Sequence, residues 1–274
     1  LPAHYLVWRD GRASSFRYWS LPAQVVRIDD ADAVAEFRRL FERSVARRLI
    51  SDVPLGALLS GGLDSSAVVA TMAHLTAKVR TFSIGFEEAG FSEIPHARRI
   101  AERFGTEHHE FTVRPDATEI IDDLVRHYGE PYADSSALPT YFLARLTRQH
   151  VTVALDGDGG DELFAGYERY EAARVAARLD GIPRPMRLAI AAGAGMLPDS
   201  LSPRSPLRRI RRFLRAIPLS PGERYLRWLG VFDQNDLADL LEPDFERASR
   251  VPEEDHGSTT AFSDGDPVRA AQRV

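Results

Sequence analysis

The chain has 274 residues and a formal charge of −5, with 34 arginines, the single lysine Lys78 and no cysteine. Disulfides, thiolate nucleophiles and thiolate metal ligands are thereby excluded, as is a phosphate loop ending in Gly-Lys-Ser/Thr, because Lys78 follows Thr76-Ala77. The acidic balance argues against a nucleic-acid-coating surface, and no run of about eighteen apolar residues is present to span a membrane.

Tyr5-Leu6-Val7-Trp8, the turn pair Asp10-Gly11 and Ser15-Phe16-Arg17-Tyr18-Trp19 predict a β-hairpin that ends at Pro22 and needs support from elsewhere. Val34, Phe37, Leu40, Phe41, Val45 and Leu49 fall at helical spacing and predict a helix over 31–50. Leu55 to Leu59 reads as a strand buried on both faces, breaking at Ser60-Gly61-Gly62 into a small-residue helix over 65–76. Strands over 80–86 and 108–113 then alternate with helices over 93–104, 117–128 and 137–149, the first closed by Gly105. Val151 to Leu155 reads as another buried strand that breaks at glycines.

Four strands separated by helices predict an α/β fold with a doubly wound parallel sheet. Residues 171–242 read as a helical part broken by prolines, and the polar chain from Pro243 is expected to be poorly ordered. Six arginines between Arg204 and Arg215, interleaved with Leu207, Ile210, Phe213 and Leu214, suit an amphipathic helix better than a nucleic-acid-binding one. His108 and His109 point to opposite faces of one strand, which suits a structural role better than a metal site. Trp8, Trp19 and Trp228 read as packing residues.

Two glycine turns carry the chemistry. Leu59-Ser60-Gly61-Gly62-Leu63-Asp64-Ser65-Ser66 joins a buried strand to a helix. Its glycines admit close backbone approach, the helix offers free N–H groups, and three hydroxyls add donors, which together suit a phosphate-like anion. Asp64 would repel a phosphate unless Mg²⁺ bridges the two. Asp156-Gly157-Asp158-Gly159-Gly160-Asp161-Glu162 also follows a strand, and four acids in seven residues call for a cation among them. Ligands of an open parallel sheet gather at the carboxyl ends of its strands, so both turns are expected to face one crevice.

The first turn resembles the pyrophosphate loop of the N-type ATP pyrophosphatases. Residues 157–167, with Thr81 to Phe86 and Gly129 to Thr140, are similar to the asparagine synthetase group of that superfamily, and the opening hairpin resembles the end of a glutaminase domain. The resemblance covers roughly residues 1–240. It implies an adenine nucleotide α-hydrolase-like fold and a two-step reaction. A carboxylate, aspartate first among candidates, takes AMP from ATP with release of pyrophosphate. Ammonia from a glutaminase domain then forms the amide.

By the same resemblance Leu59, Ser60, Gly61, Gly62, Asp64, Ser65, Ser66, Ile84, Asp156 and Gly157 bind ATP and its pyrophosphate. Asp64 and Asp161 hold Mg²⁺, and Asp158 matches an acidic position associated with forming the adenylate. The group usually has Ser or Thr where this chain has Asp156, and an arginine-containing stretch where it has Asp134-Ser135-Ser136. Lys78 is in the wrong place for the lysine that such synthetases carry in a later segment.

The expected division is a hairpin remnant over 1–22, a synthetase core over 23–170, a helical extension over 171–242 and a tail over 243–274. The chain is expected to be a cytoplasmic middle part of an enzyme that does not turn over alone. Its oligomeric state is open. Rival readings are a related amidotransferase, a β-lactam synthetase, a peptide cyclase, a tRNA-modifying pyrophosphatase and a non-catalytic nucleotide-binding module.

Overall fold

A computed structural model describes residues 3–20, 26–86, 92–113, 117–130, 132, 134–196, 205–230, 240–242 and 245, without the side chains of 117–119. Apart from Phe245, the expected disordered tail lies outside the described residues. The chain divides into two compact units, one formed by residues 24–159 and the other by 1–23 with 160–274.

Among the described residues, the 24–159 unit is built on a four-stranded parallel sheet. Its strands are β3 (Leu55–Leu58), β4 (Arg80–Phe86), β5 (Glu107–Val113) and β6 (Val153–Leu155), in the order β5-β4-β3-β6. The helices are α1 (Asp30–Arg48), α2 (Leu63–Leu75), α3 (Ile94–Phe104), α4 (Ala117–Tyr128) and α5 (Ala137–Thr147). The chain therefore runs β3, β4, β5 in one direction and returns to place β6 on the other side of β3. That reversal is the sheet's switch point.

Burial follows the expected periodicities in the centre of the unit. Ala57, Leu59, Val68, Val69, Met72, Val79, Ala97 and Ala101 form the core, with Val45 of α1 at its margin. Gly105 closes α3 at φ 63, in the left-handed region that lets its N–H bond back to Ala101 and Glu102. One expectation needs correction. β6 is an edge strand and its Val153 is 39% exposed, so the second glycine turn does not follow a strand buried on both faces. Val34, Phe37 and Leu40 of α1 are exposed, because only its C-terminal half, through Phe41, Val45 and Leu49, reaches the core.

His108 and His109 take opposite faces of β5, as expected. His108 Nδ1 bonds Thr81 Oγ1 of β4 at 2.8 Å, whereas the His109 ring stacks on Phe82 at 5.2 Å and lies 4.2 Å from His150. Burial holds His108 below the ordinary histidine pKa, partly opposed by Glu110, with His109 and Arg98 adding to the depression. A depressed pKa means that folding disfavours the charged ring. The stability it protects is complete above about pH 6.5 and is lost as pH falls through the lowered value. Thermal unfolding should therefore show a lower midpoint at pH 5 than at pH 7.5, with a smaller difference in His108→Gln. An unchanged difference would remove His108 from the account.

The second unit contains the hairpin of β1 (His4–Arg9) and β2 (Arg12–Arg17), and the helices α6 (Gly160–Phe164), α7 (Glu168–Leu179), α8 (Arg184–Gly195), α9 (Pro206–Ala216) and α10 (Pro221–Leu229). Asp10 and Gly11, at φ 51 and 74, make the two-residue turn expected from their types, and Tyr5 stacks on its cross-strand partner Phe16 at 5.2 Å. Trp8 and Trp19 are 67% and 52% exposed, so they do not pack as expected, whereas Trp228 stacks on Phe213 at 5.8 Å. The arginines of α9 behave as the amphipathic reading expects. Arg212 donates to the last carbonyls of α10, Arg209 pairs with Glu168 at 2.9 Å, and Arg208 and Arg215 are exposed. Arg224 of α10 is buried, and its guanidinium holds Asp180 with the carbonyls of Ile217 and Leu219. One cation thus ties the end of α7 to the α9–α10 turn.

Candidate active site

The first glycine turn leaves the carboxyl end of β3. Leu59 is buried and continues the ladder, its N–H bonding Phe82 O at 2.8 Å, while the Ser83 hydroxyl donates to its carbonyl. Ser60 Oγ lies 2.9 Å from Ser65 Oγ and accepts the Gly62 N–H at 3.2 Å. The two serines therefore brace the turn from inside.

Gly61 sits at φ 82, and a Cβ there would lie 2.5 Å from His96 C and 2.6 Å from Ala97 N. The turn thus rests directly on the first turn of α3. Gly62 begins α2 with no side-chain cap, and the first N–H to bond back is that of Ser66, to Gly62 O at 3.1 Å. The N–H groups of Leu63, Asp64 and Ser65 have no acceptor within their own helix.

Gly157 brings the second turn against the first. A Cβ on it would lie 2.7 Å from Ser65 N and 2.9 Å from Asp64 Cβ. Only the lack of a side chain lets the chain leaving β6 cross the open end of α2. Asp156 and Asp158 are exposed, and Asp156 Oδ1 accepts the Asp158 N–H at 3.2 Å. Asp156 therefore braces its own turn, as a serine or threonine hydroxyl would. Ile84, in the carboxyl-terminal half of β4, is half-buried.

Two features of the donor set suit a phosphate carrying a divalent cation. Ser66 Oγ is buried with no hydrogen-bond partner, a condition that costs roughly 1–3 kcal/mol and that a ligand oxygen relieves. Asp64 is half-buried, and among the described residues no basic side chain pairs with it. A hard cation shared with phosphate oxygens would suit such a carboxylate.

Asp161 belongs to α6 in the second unit. Within that unit the segment after it is held by aromatic contacts. The Tyr167 hydroxyl donates to Glu162 Oε1 at 2.5 Å, and the Arg169 guanidinium lies 3.6 Å from the Tyr167 ring centre and donates to Tyr225 Oη at 3.1 Å. The bond to Glu162 raises the Tyr167 pKa, since it favours the neutral phenol. Tyr167→Phe should cost this unit about 1 kcal/mol, read as a lower urea midpoint at unchanged slope. No change would mean that the bond is solvent-exchanged rather than structural.

Sequence reasoning missed two neighbours of the site. Ser83 is a buried hydroxyl between Phe82 and Ile84, and its signal is a polar residue in an apolar strand. His96 carries no signal at all, because it adjoins Gly61 only through the folding of α3 onto the turn.

Fold and site together define an open parallel α/β protein in which the two glycine turns meet at the switch point between β3 and β6. The family model for asparagine synthase matches residues 36–274, and the chain belongs to that family. It is 32% identical over 243 residues to "Asparagine synthetase [glutamine-hydrolyzing] 1" of Bacillus subtilis (strain 168), covering 88% of this chain and 37% of that protein. It is 43% identical over 155 residues to a putative asparagine synthetase 2 of Methanocaldococcus jannaschii, covering 56% of this chain and 30% of that protein. A putative asparagine synthetase of Mycobacterium tuberculosis is 38% identical over 175 residues, covering 64% of this chain and 27% of that protein. The chain thus spans roughly a third of the length of these relatives. Among the described residues no helix is long and apolar enough to cross a membrane.

Proposed function

We propose that the chain is the synthetase part of an ATP-dependent, amide-forming enzyme of the cytoplasm that makes asparagine from aspartate and glutamine-derived ammonia. The observation that carries this reading is the contact of Gly157 with Ser65 and Asp64, which joins the two glycine turns at the switch point. Family membership and the names of the relatives support the reaction class.

In this reading ATP lies across the carboxyl ends of β3 and β6. Leu59, Ile84, Asp156 and Gly157 line the nucleoside side. The amides of Leu63, Asp64 and Ser65, which have no acceptor in their own helix, and the hydroxyls of Ser60, Ser65 and Ser66 take the β- and γ-phosphates. The carboxylate substrate attacks the α-phosphorus, the α–β bridging oxygen leaves with pyrophosphate, and an acyl-adenylate forms. Ammonia then adds to the acyl carbon, loses a proton and expels AMP. The loop's donors are fixed before reaction, so they stabilise the charge that grows on the leaving oxygens without reorganising. The family resemblance assigns Mg²⁺ to Asp64 and Asp161, and the ion would neutralise polyphosphate charge when bound. No trio of His, Cys, Asp or Glu among the described residues is grouped to hold a metal by itself, and Mg²⁺ of this kind takes its remaining oxygens from phosphates and water. Asp158 is exposed in the second turn, and the family resemblance assigns it to the adenylation step.

The test is ATP–pyrophosphate exchange on the full-length protein with a panel of carboxylic acids. Exchange that depends on aspartate is the expected result. Dependence on another acid would replace aspartate and keep the class. ATP binding with no exchange on any acid would overturn the synthetase reading in favour of a nucleotide-binding module.

A further inference from the structure

The donors of the first turn are neutral amides and hydroxyls, and its one charged residue, Asp64, has the sign of the phosphates it would meet. Yet a departing pyrophosphate carries several negative charges. Lys78 does not supply the balance. It pairs with Glu107 at 3.2 Å, at the start of β5 and so at the amino end of the sheet, away from the turns. Arg80 lies at the same end, 3.5 Å from Glu107, and the guanidinium of Arg98 is taken by Glu110 at 2.6 Å.

Among the described residues, His96 lies beside the turn and Arg99 is bonded to it. Gly61 abuts α3 so closely that a Cβ on it would lie 2.7 Å from His96 Cβ. The His96 side chain therefore leaves the helix next to the phosphate turn. One turn further along α3, Arg99 Nη2 is 2.5 Å from His96 Nδ1. Since an arginine only donates, Nδ1 accepts, and the imidazole proton sits on Nε2, which becomes a donor. Both side chains are exposed, and among the described residues no carboxylate pairs with Arg99. The imidazole thus leaves α3 from a Cβ beside the left-handed residue of the turn, and the Arg99 guanidinium is held on that imidazole.

Resting on the ATP reading above, we propose that His96 and Arg99 bind the pyrophosphate portion of the nucleotide, and the pyrophosphate once it has left. The assignment gives the site the positive charge that the turn itself lacks. An arginine suits the task because its fork of donors matches phosphate oxygens and its charge does not titrate. His96 holds Arg99 by its side-chain nitrogen and extends the line of donors from the turn to the guanidinium.

The test compares three ligands on the full-length protein by calorimetry: Mg·ATP, Mg·pyrophosphate and AMP. Arg99→Ala and His96→Ala should weaken Mg·ATP and Mg·pyrophosphate about tenfold, the factor for losing one charge-assisted hydrogen bond. AMP, which lacks the pyrophosphate, should bind unchanged. Arg99→Lys should recover part of the loss. In exchange assays the KM for pyrophosphate should rise while that for the carboxylate stays constant. Unchanged binding of all three ligands in Arg99→Ala would overturn the assignment, and so would an equal loss for AMP, which marks a structural role. A wild-type protein that binds neither ATP nor pyrophosphate would sink the nucleotide reading itself.

Discussion

Gly61→Ala is expected to destabilise the 24–159 unit by about 2–5 kcal/mol and to abolish measurable Mg·ATP binding. Two costs add. At φ 82 an L-side chain lies in the left-handed region, worth roughly 1–2 kcal/mol of strain. The new Cβ would also meet backbone atoms of α3 at 2.5 and 2.6 Å, and backbone cannot rotate away as a side chain tip can. Overpacking of that kind costs roughly 1–3 kcal/mol. Relief requires either the turn or α3 to move, and either motion displaces the free amides of Leu63, Asp64 and Ser65. Gly62→Ala is the control. Gly62 has φ −68, and its nearest obstacle is the Ser60 hydroxyl at 3.3 Å, so its cost should stay below about 1 kcal/mol. Urea unfolding and ATP titration of the two variants make the comparison. Equal effects would mean that the turn does not rest on α3.

Asp64→Asn should lower Mg²⁺-dependent turnover by about 100-fold or more, with unfolding changed by less than about 0.5 kcal/mol. The substitution keeps shape and removes charge. Asp64 has no basic partner among the described residues, so no ion pair is broken and stability has little reason to change. The loss belongs to the cation. Raising the Mg²⁺ concentration should restore part of the activity, and the same substitution at Asp161 should act in the same direction. Full activity in both variants would remove the proposed metal pair.

How much of this was legible in the sequence differs by element. The strands and helices of the 24–159 unit follow from periodicity and breakers, because each is a local pattern: Gly105 after Phe104, Pro54 before Leu55, glycines after Leu59 and Leu155. The asparagine synthetase resemblance was carried by two short turns, and the family assignment bears it out. What no local pattern contains is strand order. The contact of Gly157 with Ser65 depends on β6 lying beside β3 rather than at the far edge past β5, and only the folded sheet supplies that. The same ignorance of neighbours explains the misses. Val153 reads as buried because it is apolar, yet an edge strand exposes it. Trp8 and Trp19 were assigned to packing by residue type, and the hairpin leaves them exposed. His96 shows the converse, since its place beside Gly61 appears only when α3 packs on the turn.

The most direct measurement is a crystal structure of the full-length protein with Mg²⁺ and a non-hydrolysable ATP analogue. The account predicts the β- and γ-phosphates within hydrogen-bonding distance of the free amides of Leu63, Asp64 and Ser65, a cation on Asp64, and the Ser66 hydroxyl bonded to a phosphate oxygen. A nucleotide bound elsewhere on the protein, with the turns at β3 and β6 empty at saturating ligand, would contradict it.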